Sequence, residues 1–526
     1  MSPSTVIQAA SGIIMAPPKV LMLVNAELGQ ANVFIATAHA LLQENPGVDI
    51  HFASFPALQE TLRDALGGAG DHGSTPFTFH PLPGRAMFKC FQEEEDLNNN
   101  IHTVSLQKPG VWNSPNSQKF IMTKAFLCWT AEEFASIYKS VDATIDHVKP
   151  DIVLVDTIFT PAITAARDIR ANGSKDYKLA ILSPNSLKDF VHHLEPGLAA
   201  FWKWPVVASA NMMPIPWYWV PFNIYLVLRM IWLVLTNKNV ANMGKKVAKL
   251  VGSPNLEIAE NISLCHNNMK GIDKIFIGSR AEVDFPELDL VNLPQDYWAR
   301  IVPCGPIVRP IQPIEPELSA WLQRRPTVLV NLGSHCVVNE TEAVDMARSL
   351  RRMMDHSRKS GKELQVLWKM KKDSIRSPDL ETGPGSVLYE VLGSEIEKDT
   401  VRIVQWLSSE PNSILGTGTV LCVINHGGAN SFYEAVCAGV PQVIVPCWLD
   451  TYDFANRAEL LGIGRWGSPK GCPRWTESEF APILVDVAIE NNAKYTARSR
   501  QIAEICSKDG GGRVTAARKI LEWLQF

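Results

Sequence analysis

Residues Thr419 to Asp450 read TVLCVINHGGANSFYEAVCAGVPQVIVPCWLD, and the order of residue types in this stretch decides the fold. Val420 to Ile424 is a run of buried-strand residues that leads into a turn, His426-Gly427-Gly428. A helix is predicted from near Asn430 to a cap at Gly439, and QVIVP then opens a second strand. Two glycines at the end of a parallel strand let backbone N–H groups and the positive end of the helix approach an anion closely, as a diphosphate site requires. Asn430 and Ser431 add side-chain donors at that end, and His426 offers a ring nitrogen to phosphate. Glu434, one turn along the helix, can accept from the two hydroxyls of a ribose. Taken alone a Gly-Gly turn is a weak signal, because many strand-to-helix turns carry glycine for packing.

The same alternation runs outward along the chain. KVLMLVNAELGQANVFIATAHALLQENPGVDIHFASF, from Lys19, gives strand, turn, amphipathic helix and strand. DIVLVDTIF after Pro150 and KLAILSP near residue 180 add further strands, so parallel strands recur with helices between them. VPCGPIVRPIQPIEPELSAWL cannot continue a helix or a central strand and reads as a linker. Beyond it PTVLVNLGS, LQVLWKM and VRIVQW restart the pattern. The expected division is an N-terminal tail (1–17), a first α/β domain (18–303) with a long insertion around 85–120, and a Pro-rich linker (304–316). A second α/β domain (317–505) and a C-terminal helix (506–526) packing back on the first domain complete it. The acidic run Glu93 to Asp96 is expected to be a solvated loop.

Composition bounds the function. At 526 residues the chain exceeds one ordinary core, and 46% hydrophobic with 20% charged residues suits two globular domains. A net charge of -4, with no basic block, argues against a nucleic-acid partner. The ten cysteines, Cys90, Cys128, Cys265 and Cys304 among them, show no CxxC pair or metal-ligand spacing and read as reduced thiols of a cytosolic protein. The first residues lack the charged start and apolar stretch of a secretory signal.

Trp406, HGGANSFYEAVCAGVP and Asp450 together resemble the nucleotide-sugar signature of the family 1 UDP-glycosyltransferases, and the chain is similar to fungal members of it. NLGS at Asn331 to Ser334, CGP at Cys304 to Pro306 and GQANVFIA near the N-terminus extend the likeness over nearly the full length. The resemblance implies a GT-B fold, two Rossmann-like domains facing across a cleft, with the acceptor on the first and the UDP-sugar on the second. It implies Trp406 on uracil, with Ser334, His426, Gly428, Asn430 and Ser431 on the diphosphate. Glu434 would hold the ribose, and Asp450, with Thr451 beside it, sugar hydroxyls. Thr451 stands where the family often has glutamine, which leaves the donor sugar open, with glucose expected on the family pattern. No resident cofactor is implied; the UDP-sugar is a co-substrate. The chain has no Asp-x-Asp sequence, so metal-independent, inverting transfer is expected.

Family members commonly carry a histidine base where this chain has Gln30, with an aspartate to orient it where this chain has Asp156. Glutamine is no general base at neutral pH. Glu27, in the same loop, reads first as a solvated carboxylate and takes that role only if burial raises its pKa, His39 reads as a structural histidine, and a readily ionised acceptor such as a phenol would relax the need for a strong base. Two further classes stay open on the sequence: a non-catalytic UDP-sugar-binding protein or partner subunit that has lost its base, and a UDP-sugar epimerase.

Pro214 to Leu235, PIPWYWVPFNIYLVLRMIWLVL, is the remaining feature. Pro216, Pro221 and Arg229 leave it short of the ~20 apolar residues a membrane span needs. It reads as a core helix or as part of an apolar acceptor wall with Trp202, Trp217 and Trp219; the wall is slightly favoured, with peripheral membrane contact through 214–235 also open. The acceptor is expected to be a small apolar molecule, the protein a monomer, and a membrane-anchored lipid glycosyltransferase is a further rival reading.

Overall fold

The Val-, Ile- and Leu-rich runs form two parallel sheets, each buried on both faces, which is why these strands read as near-continuous apolar stretches. The computed structural model describes residues 17–67, 76–92, 108–173, 175–260, 269–373 and 377–525. Glu93 to Asp96 and Cys265 lie outside them.

The first sheet contains β1 (Lys19–Leu23), β2 (Asp49–Ser54), β3 (Thr78–Pro81), β4 (Ile152–Asp156), β5 (Lys178–Ser183), β6 (Lys274–Ile277) and β7 (Ile301–Pro303) in the order β3-β2-β1-β4-β5-β6-β7. The second contains β8 (Thr327–Asn331), β9 (Gln365–Lys369), β10 (Val401–Val404), β11 (Val420–Asn425), β12 (Gln442–Ile444) and β13 (Gly464–Trp466) in the order β10-β9-β8-β11-β12-β13. All pairings between these strands are parallel. In each sheet the strand order reverses at one place, between β1 and β4 and between β8 and β11. Ligands of open α/β sheets bind beyond the strand ends at such switch points. Both halves of the site described below sit there.

The helix Leu28–Glu44 follows β1 and packs on the helices Ala429–Ala438 and Gly512–Leu524, so it touches both domains. The C-terminal helix puts Ala516, Ala517 and Ile520 into the core with Val20, Phe34 and Leu41, and Arg518 pairs with Glu44 at 2.8 Å. Capping boxes at Thr130 and Asn339 fix the starts of the long helices Ala131–Val148 and Glu340–Lys359 by satisfying their first N–H groups.

The segment 214–235 corrects one expectation. It forms a short turn, Trp217–Trp219, and the helix Val220–Thr236, but of that helix only Asn223, Leu226 and Leu233 are buried. The core-helix reading therefore fails. Trp217 is 83% exposed, Trp202 and Trp219 also stand on the surface, and Trp217, Tyr218, Trp219, Phe222 and Tyr225 contact one another in a ladder of rings. Aromatic faces spent on solvent and on each other do not wall an enclosed pocket.

Candidate active site

At the end of β1 the chain must turn into the helix Leu28–Glu44, and Asn25 builds that turn. Its side-chain oxygen accepts from Ala26 N at 3.0 Å and Met87 N at 3.4 Å, while its own N–H donates to Asp156 Oδ2 at 3.3 Å. Asp156, at the end of neighbouring β4, is fully buried and accepts from Ile158 N at 3.0 Å through Oδ1. Burial drives its pKa up to about 7; the Ile158 and Asn25 N–H groups pull it down and the charge of Glu27 pushes it further up. Glu27 is the N-cap residue of the helix, yet its carboxylate does not cap it. Oε1 accepts from Phe88 N at 2.7 Å and Oε2 is buried with no hydrogen-bond partner. Desolvation raises the pKa of Glu27 above the usual carboxylate range. Gln30, half-buried one turn on, also holds its Oε1 buried and unpartnered. His39 lies against Arg513 and Gln43 near the C-terminal helix, with its pKa lowered by burial first and by the charge of Arg513 second.

The facing half is built at the ends of β8, β9, β10 and β11. The His426 ring lies between two glycines: a Cβ on Gly333 would meet its Cε1 at 2.6 Å, and one on Gly428 its Nε2 at 2.5 Å. Gly333 also has φ +77°, so glycine is demanded there twice over. The helix Ala429–Ala438 starts at Gly428 without a side-chain cap, which leaves its first N–H groups for a ligand, and it ends at Gly439 in the left-handed conformation. Ser334 is half-buried and its carbonyl accepts from Lys371 Nζ at 2.8 Å. Lys369, at the end of β9, donates to Gly333 O at 3.2 Å and sits 3.8 Å from the centre of the Trp406 ring. Burial, then repulsion by Lys371, lowers its pKa to about 8. Trp406 itself is 61% exposed, an open aromatic face held by a cation. Glu434 is raised to about 8, by burial first and by Glu410 second, with Arg309 and Lys369 opposing.

Several contacts join the halves. Asn430 Nδ2 donates to Leu28 O at 2.9 Å, so in this structure its amide spans the gap to the Gln30 loop. Phe88 stacks on His335 with ring centres 4.0 Å apart and 14° between planes. Fully buried Arg457 donates to Tyr433 Oη at 3.2 Å and to Val283 O, and it stands 3.9 Å from Asp284. Lys188 of the first domain pairs with Asp453 of the second. Beside that pair lies Asp450, half-buried, with its pKa raised to about 7 by burial and then by Asp189. Thr451 corrects an expectation. It is 1% exposed and its hydroxyl closes a turn by donating to Trp448 O, leaving it no free hydroxyl for a sugar. Ser431 is half-buried in the first turn of its helix.

A family model described as "UDP-glucoronosyl and UDP-glucosyl transferase" matches residues 289–465, which contain the whole second half of the site. The glycosyltransferase sdnJ of Sordaria araneosa is 30% identical over 95% of this chain and 96% of its own length. The chain belongs to the UDP-glycosyltransferase family. It is a UDP-dependent hexosyltransferase of GT-B fold. A more distant relative is the 2-hydroxyacylsphingosine 1-beta-galactosyltransferase of Rattus norvegicus, at 23% identity over 91% of this chain and 78% of that protein. Among solved structures, a UDP-glucosyltransferase from Polygonum tinctorium that glucosylates indoxyl superposes with a TM-score of 0.63 at 16% identity, covering 97% of this chain and 99% of that one.

Asn25, Phe88, His335, Lys369 and Arg457 were not legible as site residues. Lys369 carried the one usable signal, a cation closing an otherwise apolar strand. The others act through packing partners far away in sequence.

Proposed function

We propose that this UDP-glycosyltransferase transfers glucose from UDP-glucose to a hydroxyl of a small apolar acceptor such as a polyketide, phenolic, terpenoid or sterol. Transfer is metal-independent, inverts the anomeric centre, and uses Glu27 as base. The observation that carries the base assignment is the buried, unpartnered Oε2 of Glu27 beside Asp156, in the loop where Gln30 replaces the family's histidine. A carboxylate with a raised pKa and a free oxygen is suited to take a proton. Glu27 removes the acceptor O–H proton and the acceptor oxygen attacks the anomeric carbon. The bond from that carbon to the diphosphate oxygen breaks, and UDP leaves with the electron pair. Gln30 orients the acceptor by donating its side-chain N–H to the acceptor oxygen, whose one proton goes to Glu27. Asp156, fully enclosed, is a positioning residue that holds the Asn25 turn.

On the donor side uracil stacks on the open face of Trp406, while Glu434 accepts from the ribose. His426, Ser334, Ser431 and the N–H groups following Gly428 take the diphosphate and the charge that grows on it as UDP departs. Asn430 joins them on exchanging Leu28 O for a phosphate oxygen. Asp450 accepts from sugar hydroxyls. The acceptor class follows the apolar acceptors of the relatives, indoxyl and acylsphingosine among them.

The test is mass spectrometry of products from purified protein, a panel of UDP-sugars, and polyphenol, polyketide and sterol acceptors. A hexose added to an acceptor, fastest with UDP-glucose, is expected. Conversion of the UDP-sugar with no acceptor present, or donor binding with no transfer to any acceptor, would overturn the reading.

A further inference from the structure

We infer that the helix Val220–Thr236, with the helix Asn239–Val251 after it, is a peripheral docking surface for a bilayer of anionic phospholipid, lying in the interface rather than crossing it. Among the described residues the run Trp217–Val251 is long and apolar enough to span a membrane by length and composition, but its geometry is that of a helix laid on a surface. Asn223 is buried and tied down by bonds to Phe201 O, Trp204 O, Val206 N and Asn211 Nδ2, and Leu226 and Leu233 are buried on the protein side. The helix is thus fastened along its length to the first domain, and the run breaks at Asn237, which is extended. Tyr225, Leu228, Trp232 and Leu235 recur at helical spacing on the opposite, exposed side, with Trp232 57% and Leu235 77% exposed. The helix Asn113–Phe120, which packs against it, begins beside exposed Val111 and Trp112.

Charge decides the occupant. The protein has a net charge of -4, yet residues 196–256 hold no Asp or Glu, and they include Lys203, Arg229, Lys238, Lys245, Lys246 and Lys249. Lys238, Lys245, Lys246 and Lys249 are exposed. Glu195 pairs with Lys203 at 2.7 Å, Glu132 shares a hollow with Lys246, and Glu257 shares one with Lys245, Lys270 and Arg167. An apolar face rich in Trp and Tyr and flanked by lysines matches the headgroup boundary of an anionic leaflet, where the rings sit at the interface and each lysine gains from the surface potential.

The experiment is co-sedimentation of the full chain with phosphatidylcholine vesicles with and without phosphatidylserine, at low and high salt. Binding to the anionic vesicles that weakens with salt is expected. Partitioning falls about five-fold for each lysine neutralised, so Lys245→Glu, Lys246→Glu and Lys249→Glu together lower it at least about a hundred-fold. Leu228→Ser, Trp232→Ser and Leu235→Ser together abolish it, with UDP-glucose affinity unchanged as the check on folding. Full-strength binding by either triple variant, or no binding by the wild type, would refute the surface. Retention on vesicles through an alkaline carbonate wash would mean a spanning helix, and a dimer that the apolar variant dissolves would mean a second copy is the occupant; either overturns it.

Discussion

If Glu434 holds the ribose, as proposed, donor affinity should rise steeply with pH in the range where most carboxylates have finished titrating. Its pKa stands at about 8 in the free protein, so at pH 7 it is mostly protonated. The ribose hydroxyls donate, and they bind best to an ionised carboxylate. Binding must then expel a proton, and the affinity follows the ionised fraction, about 1% at pH 6 and about 24% at pH 7.5. Through Glu434 alone UDP-glucose should bind about twenty-five-fold more tightly at the higher pH, a difference of about 1.9 kcal/mol, to which Asp450 adds a smaller rise through the sugar hydroxyls. UDP-glucose is the right probe because its diphosphate has no proton to lose in this range. Stopping at pH 7.5 keeps Lys369, with its pKa near 8, largely charged throughout. Calorimetry in buffers of different ionisation enthalpy reads both affinity and released protons. Glu434→Gln should lose that twenty-five-fold rise and the proton that goes with it, keeping only the shallower, about eight-fold rise that Asp450, with its pKa at about 7, contributes through the sugar hydroxyls. A flat profile in the wild type, or the same slope in Glu434→Gln, would refute the reasoning.

Asp156→Asn should cut kcat by about 10²-fold or more through loss of the loop anchor while leaving UDP-glucose affinity intact, measured by steady-state kinetics and calorimetry. The wild-type Asp156 pKa is raised from 3.8 to about 7, so the folded state keeps a proton that the unfolded state has lost. Its contribution to stability is therefore present below pH 3.8 and is lost as pH climbs toward 7, at up to about 1.4 kcal/mol per unit. Denaturant unfolding of Asp156→Asn against wild type should show that slope vanish. Gln30→His should retain or raise turnover and shift the acid limb of the pH–rate profile toward that of an imidazole. Arg457→Met removes a buried cation shared by the two domains and strands Asp284 beside it, and it should destabilise the protein by about 3–5 kcal/mol.

The two sheets were legible because parallel strands buried on both faces leave long Val/Ile/Leu runs in the chain, and the strand ends at Asp156 and just before His426 could be read off where those runs stop. What the pattern does not record is which side a residue faces when apolar residues surround it. Composition alone let 214–235 read as acceptor wall or core, and only the bonds that tie Asn223 to the domain show which face is spent inward. Thr451 was misjudged for a local reason: its hydroxyl donates to the Trp448 carbonyl of its own turn. Arg457 could not be found, since Val283 of the first domain meets it only after the domains dock.

The most direct test of the central claim is acceptor glucosylation by wild type and Glu27→Gln side by side, with UDP-glucose affinity measured for both. The account predicts a β-glucoside from the wild type and a loss of kcat of about 10²- to 10⁴-fold in the variant, at unchanged donor affinity. Equal turnover by the two proteins, or an α-linked product, would contradict it.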